Sequence, residues 1–191
     1  MKSFLMLIAT LATTTAFAQS EPVLMDVPAD DQIVQSIEFK GRPDRVVSAT
    51  LVKSEDANFG TIMITHQKAS DVRHFVGAMS DVEYTVNESL PGFTTLEKNA
   101  GGSLVITSTN DTFGRDRYTR KLTVAYRNNQ YKIIGFTLYT LDTMNMKSDE
   151  CDYNLQTQKG KKNGKAVSIK TRSMSFEKFV ENEKSYSCKG W

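Results

Sequence analysis

Residues 121–136, KLTVAYRNNQYKIIGF, constrain the fold of this chain more than any other stretch. Two runs of β-branched and aromatic residues meet at Asn128 and Asn129. A two-residue hairpin turn needs positive φ at both positions, which Asn tolerates better than most residues. Fixing the turn fixes the register. Tyr126 then opposes Tyr131, Val124 opposes Ile133 and Leu122 opposes Gly135, giving one apolar face. On the other face Ala125 meets Lys132, Thr123 meets Ile134, and Lys121 lies with Phe136. Arg127, beside the turn, is expected in solvent, and residues 137–139 extend the second strand, with Ile134, Phe136 and Leu138 on a partly covered face.

The same pattern recurs elsewhere. Residues 45–53 (RVVSATLVK) and 60–66 (GTIMITH) read as neighbouring strands joined by a turn at 55–58. A second hairpin pairs 151–157 with 165–171, so that Cys151, Tyr153 and Leu155 share a face with Val167 and Ile169 and the basic segment KGKKNG (159–164) forms a mobile tip. Residues 70–80 differ: Val72, Phe75, Val76 and Met79 fall at i, i+3, i+4 and i+7 behind Ser70 as a cap, which predicts a helix. A shorter helix is expected from Ser175, burying Phe176, Phe179 and Val180. Together these elements predict a mainly β, β-rich α+β fold, with antiparallel hairpins in a sheet or sandwich and one or two short helices.

Residues 1–18 have the layout of an export signal: Lys2, an apolar run over 4–12, then Ala16-Phe17-Ala18 as a small-x-small cleavage site. That run is shorter than the roughly 20 residues needed to span a bilayer. Residues 19–33, with Pro22 and Pro28, read as a flexible lead-in, and 34–191 as a single β-rich domain. Cys151 and Cys188 are the only cysteines, and an oxidising compartment favours joining them. Closing that loop restricts the unfolded chain by about 4 kcal/mol in the chain-entropy account. The expected location is periplasmic or secreted, with no transmembrane segment in the mature chain.

Charge is unevenly distributed. Residues 21–114 carry 7 basic and 14 acidic side chains, whereas residues 115–191 carry 16 basic and 8 acidic. Either the acidic and basic halves pack beside each other and partly neutralise one another, or a basic face on an exported chain meets an anionic envelope polymer or an acidic protein, with nucleic acid not expected. The candidate contacts are Arg115, Arg117, Arg120, Lys161 and Lys162. No GxSxG, SxxK or HExxH motif, phosphate loop or dinucleotide fingerprint occurs. On a helix, Asp71 and His74 would share a face and His66 could approach them as a two-His, one-carboxylate metal site. Asp149, Glu150 and Asp152 form an acidic cluster that would offer calcium too few oxygen ligands. No catalytic residue, metal or cofactor is therefore assigned. The expected function is that of an exported, non-enzymatic binding or envelope-associated protein. The alternatives are an exported hydrolase of cell-wall glycan or peptide, whose carboxylates need no motif, and a structural envelope component.

The segments GSLVITS (102–108), Asn110, Gly114-Arg115, LTVAYR (122–127), Gly135, Asp142-Thr143, CDYNL (151–155) and NGK (163–165) resemble a group of uncharacterised exported proteins of Gram-negative bacteria. In some of those relatives an aspartate-rich segment of FG-GAP or VCBS type comes first. The resemblance spans residues 102–165, and its motifs are those of turns and strands, so it implies a fold more than a reaction. Asn129 stands where a turn glycine is common, and KGRPD (40–44) keeps only a trace of the aspartate-rich loop, so a calcium site carried over to it would lack its carboxylates.

Overall fold

The computed structural model describes residues 32–53, 59–68, 74–83, 93–111, 114–180 and 188–189. Within them the chain runs β1 (Ile33–Phe39), β2 (Val46–Lys53), β3 (Phe59–Gln67), β4 (His74–Glu83), β5 (Phe93–Lys98), β6 (Leu104–Asn110), β7 (Asp116–Arg127), β8 (Gln130–Asp142), β9 (Lys147–Asn154), β10 (Lys159–Lys162), β11 (Lys165–Ser168), β12 (Met174–Ser175) and α1 (Phe176–Val180). The strands form two antiparallel meanders: a four-stranded sheet β1-β2-β3-β4, and an eight-stranded sheet β11-β10-β9-β8-β7-β6-β5 in which β12 also pairs with β8. The mainly β expectation holds. So does the β2–β3 pair, with Val47 opposite His66 and Leu51 opposite Ile62. The short helix after Ser175 also forms, with Phe176 and Phe179 buried.

One core draws on both sheets. Val47, Ala49, Leu51, Ile62 and Ile64 come from the first; Leu96, Ile106, Leu122, Val124, Ile133, Phe136 and Leu138 come from the second. Each is at most 2% exposed, and burying a side chain of this size contributes about 1.5–3 kcal/mol. The sheets meet where the Gln35 side chain acts as a rung of β5. Its Nε2 donates to the Leu96 carbonyl at 2.7 Å, and its Oε1 accepts from the Leu96 N–H at 2.8 Å. Nearby, the Lys40 N–H donates to the Gly102 carbonyl at 2.7 Å. On the other side α1 packs against β4 and β8.

The paired-asparagine turn is present, with φ of 51° at Asn128 and 61° at Asn129. Next to it the predicted register is correct: Tyr126 faces Tyr131, Ala125 faces Lys132 and Val124 faces Ile133. Beyond it the register slips by one residue. Thr123 pairs with Gly135 and Leu122 with Phe136, leaving Ile134 as the extra residue of a bulge. Strict alternation would have placed Gly135 inside and Phe136 outside. The bulge puts Phe136 and Leu138 into the core instead. Burying a phenylalanine in place of a glycine outweighs one ladder hydrogen bond, whose net contribution is about 0.5–1.5 kcal/mol.

Two further expectations are corrected. Residues 74–80 lie in strand β4, not in a helix, and 70–73 fall outside the described residues. The β3–β4 ladder shifts register between Gly60 and Ile62 and again between Ile64 and Thr65, where Val76 has no pairing partner. Two such irregularities break the period of two, and the remaining apolar spacing imitates a helical one. The segment 159–164 is not a loop either. β10 pairs with β9 and then, through Asn163-Gly164 at φ of 49° and 75°, with β11. The expected shared face nevertheless forms, with Cys151, Tyr153, Leu155 and Ile169 buried and Val167 against them.

Candidate functional site

The structure separates the five basic residues singled out in the sequence. Arg120 points inward at 5% exposure, with its Nη2 3.5 Å from the Ser108 hydroxyl, so it presents nothing to a partner in solvent. Period-two alternation already carries this signal, because Arg120 shares a face with Leu122 and Val124. Arg115 is exposed but committed to Asp142, with Nε to Oδ1 at 3.0 Å and Nη2 to Oδ2 at 2.6 Å. Arg117 lies on the same face of β7 as the exposed Lys121 and is itself half-buried.

Lys161 and Lys162 are adjacent but have different roles. Lys162 sits opposite Cys151 in the β9–β10 ladder. Its Nζ donates to the Cys188 carbonyl at 3.1 Å, lies 3.9 Å from Asp149, and shares that carbonyl with the Tyr153 hydroxyl at 3.2 Å. It therefore braces the arm held by the Cys151–Cys188 disulfide, whose Cα atoms are 5.7 Å apart. Lys161 alternates outward with Lys159, and Lys165 is exposed across the turn. Residues 159–172 hold six basic side chains and no acidic one.

This hairpin is held stiffly. Asn163 donates its N–H to the Glu150 carbonyl, accepts the Glu150 N–H, and donates Nδ2 to Asp149, all at 2.8–2.9 Å. At the other end Gln158 donates Nε2 to the Ile169 carbonyl at 3.3 Å, and Arg172 Nε donates to Gln158 Oε1 at 3.2 Å. The lysines thus project from a fixed ribbon at the edge of the larger sheet. Glu150 and Asp152 lie on the neighbouring strand, with Asp152 accepting from the Thr137 hydroxyl at 3.1 Å.

Sequence reading missed a cavity of about 410 Å³ beside the paired-asparagine turn. It is assembled from β3, the β7–β8 turn, β12, α1 and the segment after β1, so no local motif marks it. Arg42, His66 and Lys178 line it together with Ile64, Tyr126, Tyr131 and Phe176. Tyr126 and Tyr131 are 5.1 Å apart between ring centroids, and Phe39 meets Tyr131 edge-on at 5.8 Å. A Cβ on Gly41 would fall 2.6 Å from the Tyr131 hydroxyl and 2.2 Å from Val47, so only glycine lets this segment cross the ring. Burial pushes the Tyr131 hydroxyl up to about 12, with a hydrogen bond to the Arg42 backbone pulling the other way.

Of the metal candidates, His66 and His74 are paired positions in the β3–β4 ladder, while Asp71 lies outside the described residues. Alternation along β9 sends Glu150 and Asp152 to one face and Asp149 to the other. Among the described residues no three His, Cys, Asp or Glu side chains gather as a metal site. None of the described helices is long and apolar enough to cross a membrane. Comparison of the chain with protein-family models, curated proteins and solved structures returns no match.

Proposed function

We propose that this chain is an exported binding protein, without a catalytic role, whose basic edge hairpin engages an anionic polymer of the cell envelope. The observation that carries this reading is the ribbon of β10 and β11. Lys159 and Lys161 stand exposed on one face of this ribbon and Lys165 on the other, on a backbone pinned at both ends, with Asp152 of the neighbouring strand opposite Lys161. Charges on a prearranged scaffold lose little conformational freedom on binding, and basic charges grouped on one edge ribbon attract a polyanion over about 8–10 Å at moderate salt. The disulfide behind the ribbon suits an oxidising compartment.

Retention of the purified protein on isolated envelope material and on immobilised polyglutamate, followed against salt, tests the reading. The triple variant Lys159→Glu, Lys161→Glu, Lys165→Glu is expected to elute at markedly lower salt with unchanged thermal unfolding. Lys162 is left intact because it braces the disulfide arm. Equal retention of the triple variant and the parent would remove the proposal.

A further inference from the structure

Beside the paired-asparagine turn, and sharing no residue with the edge hairpin, the cavity of about 410 Å³ falls within the usual size of small-molecule sites. Its lining is chemically one-sided. Among the described lining residues Arg42 and Lys178 carry positive charge, His66 adds a third basic group, and none is a carboxylate. Two other concavities on the described surface include acids: Asp116, Asp142 and Asp149 in one, Asp152 in the other. Arg42 Nε is paired with Asp44 at 3.0 Å. A guanidinium has five N–H donors, so one carboxylate at Nε does not exhaust it. That pair is also about half exposed on both sides, so it competes weakly with a ligand.

The remaining lining is apolar: the half-buried ring of Tyr126, tilted 51° to that of Tyr131, with the buried Tyr131, Phe176 and Ile64 behind it. Such faces favour a planar body stacked or tilted against them. Asn129, Gln130 and Ser175 add neutral polar groups able to orient a head group. The geometry points to a binding site for a small aromatic acid, with its anionic head toward Arg42 and Lys178 and its ring against Tyr126. This site is independent of the polymer contact, so the two readings stand or fall separately.

Titration calorimetry of the purified protein with 2-naphthoate, 2-naphthylmethanol and decanoate tests it. Saturable one-to-one binding of 2-naphthoate is expected, with the neutral alcohol and the saturated acid each at least about tenfold weaker. Arg42→Ala combined with Lys178→Ala should weaken 2-naphthoate by about tenfold or more while leaving the unfolding temperature and polyglutamate retention in place. Ser175→Trp, which fills the cavity, should abolish binding; if that variant misfolds, broadening of Tyr126 and Tyr131 ring resonances by 2-naphthoate in the parent serves as the second readout. Equal binding of the neutral alcohol, tighter binding of decanoate, indifference to the double substitution, or no binding of 2-naphthoate would overturn the proposal.

Discussion

Arg115 and Asp142, 27 residues apart in sequence, close a two-pronged ion pair across the start of β7 and the end of β8. Asp142 also organises the turn that follows. Its Oδ1 accepts the N–H groups of Met144 and Asn145 at 3.0 and 3.2 Å, and its Oδ2 accepts Asn145 Nδ2 at 2.8 Å. The Thr143 N–H and hydroxyl both return to the Arg115 carbonyl at 3.0 Å. An arginine that looks available in sequence is thus part of the framework that shapes the β8–β9 connection.

The same pair gives an acid limb to stability. Hydrogen bonding to Arg115, then to the turn N–H groups, holds the Asp142 carboxyl well below the usual carboxylate range. A depressed value stabilises the fold above the ordinary carboxylate pKa of about 4 and loses that contribution as pH falls through the folded value. Asp142→Asn should lower the urea midpoint at neutral pH, and its deficit should shrink in strong acid. A deficit that is constant with pH would contradict this.

Tyr131 acts at the opposite end of the scale. Its hydroxyl is raised by burial from 10.0 to about 12. A raised value stabilises fully below the unfolded pKa and is lost as pH climbs through the folded one. The parent should therefore lose stability across that interval more steeply than Tyr131→Phe. The Tyr153 hydroxyl is also raised by burial, so the difference between the two proteins isolates Tyr131. Parallel curves would rule the effect out.

Reducing the Cys151–Cys188 bond, or replacing both cysteines by serine, should remove about 4 kcal/mol, read as a lower denaturant midpoint. Thiol titration of the unreduced protein should find no free cysteine. An unchanged midpoint after verified reduction would show that the bond adds nothing.

Gly160 allows β10 to approach β9 closely. A Cβ there would lie 2.2 Å from the Asp152 carbonyl oxygen and 2.7 Å from the Tyr153 ring. Because one obstacle is backbone, relief requires moving the strand, and Gly160→Ala should cost about 1–3 kcal/mol. Gly164→Ala meets no atoms but must hold φ at +75°, a smaller strain of about 1 kcal/mol. Chemical denaturation of the two variants side by side should preserve that order.

Local chemistry made much of the fold legible. The asparagine pair announced the β7–β8 turn, the alternation in residues 45–53 and 60–66 gave β2 and β3, and the lone cysteines gave the disulfide. What failed was phase. Ile134 and Val76 each lack a ladder partner, and such an extra residue shifts every side chain beyond it. The first hid Phe136 from the expected core, and the second contributed to a strand being read as a helix. The cavity was illegible for another reason: Arg42, His66, Tyr131 and Lys178 come from distant segments that only the closed fold brings together. Arg120 is the exception, since its inward placement could have been deduced from Leu122 two residues on.

The lysine-bearing ribbon lies between the two cysteines in sequence, inside the ring that their sulfurs close. A protease that cuts after an exposed lysine there would leave two pieces still joined covalently through sulfur, travelling as one species until a reductant parts them.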